Sequence, residues 1–335
     1  MRPFKYSAAN DNNSASQMLA VNTNAKFLAG GTNILDLMKE DVERPDELVD
    51  ITRLKLTQIK TITEIVNNGG VSIGGLSKNT DTANDPIIRQ NFPLLTQAIL
   101  AGASAQIRNM ATNGGNLNQR TRCSYFYDTA MPCNKREPGT GCGAREGINR
   151  MHAIFGWSKD CVAVHPSDMC VALVALDAVV KVQATGGIER SIPFADYHRL
   201  PSDTPQKDNN LIHGEIITAI EIPKNNFAAN SSYLKVRDRA SYAFALVSVA
   251  AALELNANQI MQVRIAMGGV AHKPWRALEA EKFLVGKTAN EANFKQAAEA
   301  EMLNAKPLEH NKFKVELGKR AIVRALTQAM NGGTN

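Results

Sequence analysis

The sequence lacks any apolar run long enough to cross a membrane. Its longest apolar stretches, at 170–180 and 243–255, fall well short of the ~20 residues that a spanning helix needs. The first 17 residues have neither an apolar core nor a small-residue cleavage site, so they do not resemble a signal peptide. These absences indicate a cytoplasmic protein, unless the chain is exported already folded with a partner that carries the signal.

Aromatic residues are also scarce, at 6%, and no block of five or more Lys or Arg occurs, although the formal net charge is +6. A groove for single-stranded nucleic acid needs clustered basic and aromatic side chains, so nucleic-acid binding is not expected. The chain has only five cysteines in 335 residues. That odd number in a chain of this length argues against a disulfide framework. No nucleophile–base pair and no acid–base constellation is evident, so no catalytic residue is predicted.

The order of the predicted elements divides the chain near the polar stretch 224–230. Before it, short strands alternate with helices and glycine turns: strands at 25–31, 47–54, 69–76 and 214–223, a helix at 86–104 and a hairpin at 177–194. After it, three strands precede three helices: strands at 231–239, 245–255 and 259–270, and helices at 275–285, 289–303 and 312–330. This order predicts an α+β protein with domains at 1–225 and 226–335.

Two turns that contain a glycine pair are candidates for an anion site. The first, LAGGTN at 28–33, follows a strand, and the second, TNGGNL, spans 112–117. Glycine pairs allow successive backbone N–H groups to converge on a phosphate. Neither turn has the dinucleotide or the ATP spacing, and each by itself is also typical of a plain tight turn. Asp168, in HPSD at 165–168, either caps a buried helix or accepts hydrogen bonds from ribose hydroxyls.

Four of the five cysteines lie in one loop-like segment, separated by 9, 8 and 18 residues: Cys123, Cys133, Cys142 and Cys161. The segment has no CxxC knuckle of the kind that structural zinc sites use. Its Pro, Gly and charged residues are not typical of a core. The spacing leaves three interpretations open, namely a [4Fe–4S] cluster, a zinc site and unligated thiols.

In a cluster site, neighbouring residues would wrap and shield the metal group. The N–H groups of Gly139, Gly141 and Gly143 would point at sulfurs, and three aromatic side chains would exclude water: Tyr125, Phe126 and Tyr127. Cys170 is predicted to be a buried small hydrophobic residue. His152 and His165 are interpreted as hydrogen-bonded structural residues rather than ligands.

Four motifs occur in the order seen in the FAD-binding subunits of the molybdenum hydroxylases, the xanthine dehydrogenase and carbon monoxide dehydrogenase group: LAGGTN, TNGGNL, HPSD and GEIITAIEIP. With the cysteines, and with KVRDRASYAFALVSVAAAL and GGVAHKPWR, the whole chain resembles the flavin subunits of bacterial periplasmic aldehyde oxidoreductases within that group. The resemblance implies an FAD-binding domain of the p-cresol methylhydroxylase type, with two α/β subdomains, over 1–225. It also implies an iron–sulfur insertion at about 121–163 and a C-terminal α+β domain of the CO dehydrogenase flavoprotein type.

The resemblance further implies a set of FAD-binding residues. The turn at 26–34 would bind the pyrophosphate: Lys26, Phe27, Leu28, Ala29, Gly30, Gly31, Thr32, Asn33 and Ile34. Thr112, Gly115 and Asn118 would lie by the flavin and its ribityl-phosphate arm, with Ala103 alongside. Asp168 would hold the adenosine ribose, Ile217 would pack on the ligand, and Lys235 would approach the flavin ring. A subset of the family carries a [4Fe–4S] cluster on such a loop, which favours Cys123, Cys133, Cys142 and Cys161 as its ligands.

The implied function is electron transfer. FAD would take electrons from iron–sulfur centres of partner chains and pass them to an external acceptor other than NAD. A large molybdenum-cofactor subunit would oxidise the substrate. A small [2Fe–2S] subunit would carry the electrons from it to this chain, and the three chains would form a periplasmic heterotrimer. The alternatives are a stand-alone flavin reductase of the same fold and a zinc-stapled binding module.

Overall fold

The computed structural model describes residues 1–62 and 69–333, and it confirms the predicted α+β fold. The strands are β1 (Lys5–Ala8), β2 (Ala25–Leu28), β3 (Glu47–Asp50), β4 (Ile59–Ile62), β5 (Gly70–Gly74), β6 (Val179–Gln183), β7 (Glu189–Pro193), β8 (Ile216–Pro223), β9 (Ser231–Val236), β10 (Val247–Asn256), β11 (Gln259–Gly268) and β12 (Trp275–Arg276). The helices are α1 (Asn12–Ala20), α2 (Ile34–Lys39), α3 (Asn79–Asn84), α4 (Pro86–Asn91), α5 (Pro93–Ala101), α6 (Ala105–Met110), α7 (Asn113–Leu117), α8 (Ser124–Tyr127), α9 (Gly143–Glu146), α10 (Asp168–Ala175), α11 (Phe194–Tyr197), α12 (Leu278–Leu284), α13 (Glu291–Met302) and α14 (Phe313–Met330). No helix in these two ranges is long and apolar enough to span a bilayer.

The N-terminal part forms a small parallel sheet in the order β1-β3-β2. Its apolar side chains pack with those of α1 in a small core that includes Leu19, Val49 and Ile51. The carboxyl end of β2 leads directly into the first glycine turn and then into α2. This places the predicted pyrophosphate turn at an edge of the sheet, where backbone N–H groups are not used by strand pairing.

A second, five-stranded sheet follows in the order β4-β5-β8-β6-β7. The predicted hairpin at 177–194 is present as β6 and β7. The fully buried α10 packs against α5, and both belong to the core of this sheet. The predicted continuous helix at 86–104 is wrong, because it breaks into α4 and α5 at Phe92–Pro93. Pro93 starts α5, and the proline ring disfavours helical backbone at the residue before it.

The C-terminal part is an antiparallel sheet in the order β12-β11-β10-β9, covered by α12, α13 and α14. The three predicted strands and the predicted helices in this part are present, with ends that differ by a few residues. The start of the first predicted helix, at 275–276, is instead the edge strand β12. Its residues pair with Ala266 and Met267 of β11, and that pairing outweighs local helix propensity.

The cysteine-bearing segment lies between the two predicted domains. On one side, Phe126 is fully buried and packs with Leu37 of α2 and with Cys133. On the other, the N–H groups of Ile154 and Phe155 both donate to the carbonyl of Val270. The segment is therefore packed between the first glycine turn and the C-terminal sheet.

Candidate cofactor site

The first glycine turn approaches the backbone before the second one so closely that residue 30 must be glycine. A Cβ at Gly30 would lie 2.1 Å from the carbonyl oxygen of Met110. Gly31 has a φ of +74°, in the left-handed region that favours glycine. The first turn therefore packs directly against the backbone that leads into the second turn.

The second turn starts α7 and is fixed by Thr112. The Thr112 hydroxyl accepts a hydrogen bond from the N–H of Gly115 at 3.2 Å, and thus caps the helix. Gly114 donates to the carbonyl of Gly75 at 2.7 Å, and a Cβ there would be crowded by Gly75 and Ile217. Close backbone packing therefore explains this glycine.

A cavity of about 820 Å³ opens between the two turns. Most predicted FAD-binding residues line it: Lys26, Phe27, Ala29, Gly30, Gly31, Thr32, Asn33, Ile34, Thr112, Gly115, Asn118 and Ile217. The structure thus brings together residues that are up to about 190 positions apart in the chain, from Lys26 to Ile217. The volume lies in the range typical of ligand pockets.

The sequence analysis missed the opposite wall, which is formed by 206–216 and by the cation Arg120. Arg120 bridges Glu43 and Asp208, and its Nε donates to Asp208 at 2.8 Å. Burial alone would raise the pKa of Asp208, but Lys135 and Arg120 outweigh burial and hold that pKa well below its usual range. No motif marks 206–213, whereas 214–216 begin the motif GEIITAIEIP. Arg120 could have been noted because it lies three positions after the TNGGNL turn.

Four predicted FAD-binding residues do not line this cavity: Leu28, Ala103, Asp168 and Lys235. Asp168 and Lys235 instead form a buried ion pair at 2.7 Å, and Lys235 also donates to the carbonyl of Ala101. Two residues in contact cannot serve the adenosine and flavin ends of an extended dinucleotide, so the predicted division of roles between them is corrected. The interpretation of Asp168 as the helix cap is also wrong, because Ser167 caps α10 by accepting from the N–H of Cys170.

We expect the Asp168–Lys235 pair to connect the two domains energetically. Asp168→Asn would leave the buried Lys235 ammonium without a counter-ion, and breaking such a pair costs about 3–5 kcal/mol. The double variant Asp168→Asn/Lys235→Met should recover most of that loss, because it removes the stranded charge as well. Guanidinium unfolding of the wild type, both single variants and the double variant measures this coupling. Additive losses would contradict it.

All four clustered cysteines are free, and they line one small space, largely enclosed by protein, with a cavity volume of about 10 Å³. Cys133 and Cys142 face each other across an antiparallel bridge. Tyr125 and Phe126 line the same space, as predicted, but Tyr127 turns away and its hydroxyl donates to Asp36.

The hairpin that carries Cys133 and Cys142 is held by Asn134. Its side-chain oxygen accepts from the N–H groups of Gly139 and Gly141, and the N–H of Gly143 donates to Pro132. The expectation that these glycine N–H groups point at sulfurs is therefore wrong. The Cys161 sulfur instead accepts from the N–H of Ala163 at 3.5 Å.

The cysteine space is poorly suited to four free thiolates. Burial raises the pKa of Cys123 to about 12, although backbone N–H groups of Phe126 and Tyr125 oppose the shift. Burial also raises the pKa of Cys161 to about 11, against the nearby cation Lys135. Thiolates at these positions need a strongly positive partner, which a metal group provides.

The cysteine space and the large cavity share a wall. The Arg120 guanidinium, in the cavity, lies 4.7 Å from the centre of the Phe126 ring, which lines the cysteine space. Lys135, also at the cysteines, donates to Asp208 of the cavity. Two side-chain contacts thus link the two sites, namely Arg120 with Phe126 and Lys135 with Asp208.

Within the described ranges, one group of potential metal ligands has all its ligand atoms within 4.8 Å of one another: His165, Cys170 and His198. His165 Nδ1 accepts from the N–H of Ser167, so its proton lies on Nε2 and neither nitrogen can bind a metal. His165 therefore has the predicted structural role. Cys170 is fully buried, as predicted.

Two family matches cover nearly the whole chain and define a class of flavoprotein. Residues 2–225 match the FAD binding domain in molybdopterin dehydrogenase, and residues 232–329 match the CO dehydrogenase flavoprotein C-terminal domain. The chain belongs to the FAD-binding medium subunits of the molybdenum hydroxylase family, and it is an oxidoreductase subunit.

Curated relatives and solved structures agree with this assignment. The chain is 45% identical to the aldehyde oxidoreductase FAD-binding subunit PaoB of Escherichia coli (strain K12), over 98% of this chain and 99% of that protein. It is 32% identical to the glyceraldehyde dehydrogenase medium chain of Sulfolobus acidocaldarius, over 88% and 85%. The fold matches carbon monoxide dehydrogenase from Hydrogenophaga pseudoflava with a TM-score of 0.76 at 23% identity, over 99% of both chains.

Proposed function

We propose that this chain is the FAD- and [4Fe–4S]-containing electron-transfer subunit of a molybdenum-dependent aldehyde oxidoreductase complex. The observation that carries the proposal is the wall shared by the large cavity and the cysteine space, at Arg120–Phe126 and Lys135–Asp208. Two redox groups held at these two sites would be close enough to exchange electrons.

The large cavity fits FAD. The first turn presents small residues and backbone toward it, where a pyrophosphate can approach, and Ile217 offers an apolar surface for a ring. The cavity lining carries four basic residues (Lys26, Arg120, Arg199 and Lys207) and three acidic ones (Glu43, Asp208 and Glu215), and Arg120 is paired with Glu43 and Asp208. FAD bound there would exchange electrons with a donor and an acceptor.

The cysteine space fits an iron–sulfur cluster better than zinc. The segment has no CxxC knuckle of the kind that structural zinc sites use, whereas four cysteine thiolates are a usual ligand set for a [4Fe–4S] cluster. Cys123, Cys133, Cys142 and Cys161 would hold the cluster, which would accept and release one electron, while Phe126 excludes water. The missing knuckles and the adjoining flavin domain disfavour a zinc-stapled binding module.

Partner chains would carry out the substrate chemistry. A large molybdenum-cofactor subunit would oxidise the aldehyde, and a small [2Fe–2S] subunit would deliver the electrons to this chain, in a heterotrimer. The external acceptor would be other than NAD. The compartment would be the periplasm, reached by export in the folded state with a partner that carries the signal. The similarity to the aldehyde oxidoreductase FAD-binding subunit supports the assignment of this chain to an aldehyde oxidoreductase complex.

The test is to measure aldehyde oxidation by the chain with and without its partners. Purified alone, with bound FAD and iron verified, the chain should show no aldehyde oxidation, because the proposed site of substrate oxidation lies on the large molybdenum-cofactor subunit. It should still oxidise a reduced artificial electron donor in the presence of an artificial acceptor. Aldehyde oxidation by the chain alone would contradict the division of roles and would favour a stand-alone flavin enzyme.

A further inference from the structure

One histidine touches a predicted cluster ligand. Nε2 of His152 lies 3.1 Å from Sγ of Cys123, and the His152 side chain is almost completely buried. The same contact does not exist for Cys161, whose sulfur accepts from a backbone N–H. His152 lies between Cys142 and Cys161 in the chain. This part of the segment therefore also contacts Cys123.

If Cys123 is a ligand of the proposed cluster, its contact with His152 determines which imidazole nitrogen carries the proton. A sulfur that is bonded to iron carries no proton, so a nitrogen lone pair facing it at this distance would be repelled. The contact is attractive only if the proton lies on Nε2 and is donated to the sulfur. His152 Nδ1 is buried and has no hydrogen-bond partner among the described residues, so no other contact requires the proton to be on Nδ1.

The position of His152 does not depend on the metal group. Its carbonyl oxygen accepts from Nζ of the buried Lys314 at 3.0 Å and from Nδ2 of the buried Asn311 at 3.1 Å. Lys314 also donates to the carbonyl of Gly269, at the end of β11. Helix α14 thus fixes this backbone against the C-terminal sheet and holds the imidazole at the cysteine.

We propose that His152 is a positioning residue that donates an Nε2–H···Sγ hydrogen bond to Cys123 and raises the reduction potential of the cluster. This inference rests on the proposed [4Fe–4S] cluster. Reduction adds negative charge that is shared by the ligand sulfurs, so a donor at one sulfur stabilises the reduced cluster more than the oxidised one. Hydrogen bonds to sulfur are among the features that set cluster potentials.

The matched variants are His152→Gln, which keeps an N–H donor, and His152→Met, which has a similar length and no donor. Both are prepared in the intact complex, and iron per chain is measured first. The cluster is then titrated with reductant and followed by electron paramagnetic resonance. At a fixed potential, His152→Met should lower the ratio of reduced to oxidised cluster at least tenfold, about 59 mV for one electron. His152→Gln should stay within about threefold of wild type.

Equal potentials in the wild type and His152→Met, with equal iron, would overturn the proposal. If His152→Met fails to retain iron, the wild-type complex is prepared with histidine labelled with ¹⁵N in the imidazole ring and studied by pulsed electron paramagnetic resonance. A coupling between the cluster and an imidazole ¹⁵N would support the hydrogen bond, and its absence would overturn the proposal. A wild-type complex without iron in this chain would instead contradict the proposed cluster.

Discussion

Cys161→Ser should remove the iron from this protein. Cys161 is almost completely buried and faces the same closed space as Cys123, Cys133 and Cys142. A serine hydroxyl is a poor substitute for a thiolate, and an incomplete ligand set in a closed site does not hold a cubane cluster. Iron should fall from about four atoms per chain to less than one, with loss of the broad absorption shoulder.

The matched control is Cys170→Ser, which changes another buried thiol. Cys170 lies in α10, outside the cysteine space, so this variant should keep its iron and lose only stability. FAD content should be unchanged in both variants, because neither residue lines the large cavity. Full iron in Cys161→Ser, or equal loss in both variants, would contradict the assigned ligand set.

Gly30→Ala should weaken FAD binding at least tenfold. The added Cβ would lie 2.1 Å from the Met110 carbonyl oxygen and 2.8 Å from its carbon, and a backbone neighbour cannot rotate away. The two glycine turns would have to separate, so the residues on the first would no longer face those on the second. Overpacking of this kind costs about 1–3 kcal/mol. FAD affinity should fall at least tenfold, measured by flavin content and by titration of the FAD-free protein.

Gly286→Ala is the control, because it replaces a glycine without bringing the new side chain against any neighbouring atom. Gly286 has a φ of +80° and no atom within 4 Å of an added Cβ. Its replacement should cost about 1 kcal/mol of backbone strain and leave FAD binding unchanged. If both variants retained FAD equally, the close approach of the two turns would not form the binding site.

The sequence alone predicted those features that a local pattern of residues determines. Glycine pairs after strands marked both turns, and the clustered thiols marked the cysteine space. Alternating apolar residues on both sides of Thr185 predicted the β6–β7 hairpin correctly. Pro93 could have marked the break between α4 and α5, since proline and the residue before it are both restricted.

The rest depends on contacts between distant parts of the chain. Asp168 and Lys235 meet across 67 positions, so no local pattern predicts their ion pair. Residues 206–213 of this wall have no periodicity or motif, and only the packing of their loop turns them toward Arg120. The glycines around Cys142 were predicted to wrap a metal group, but the N–H groups of Gly139 and Gly141 donate to the side chain of Asn134, which has no distinct sequence signature.

The most direct test of the central claim is the cofactor content of the wild-type chain, purified without oxygen and free of its partner chains. Flavin and iron are quantified per chain, and the visible spectrum is recorded before and after dithionite. The account predicts one FAD and about four iron atoms on this chain, with flavin bands over a broad shoulder that bleaches on reduction. Flavin with no iron on this chain would contradict the claim that two redox groups share the wall at Arg120 and Phe126.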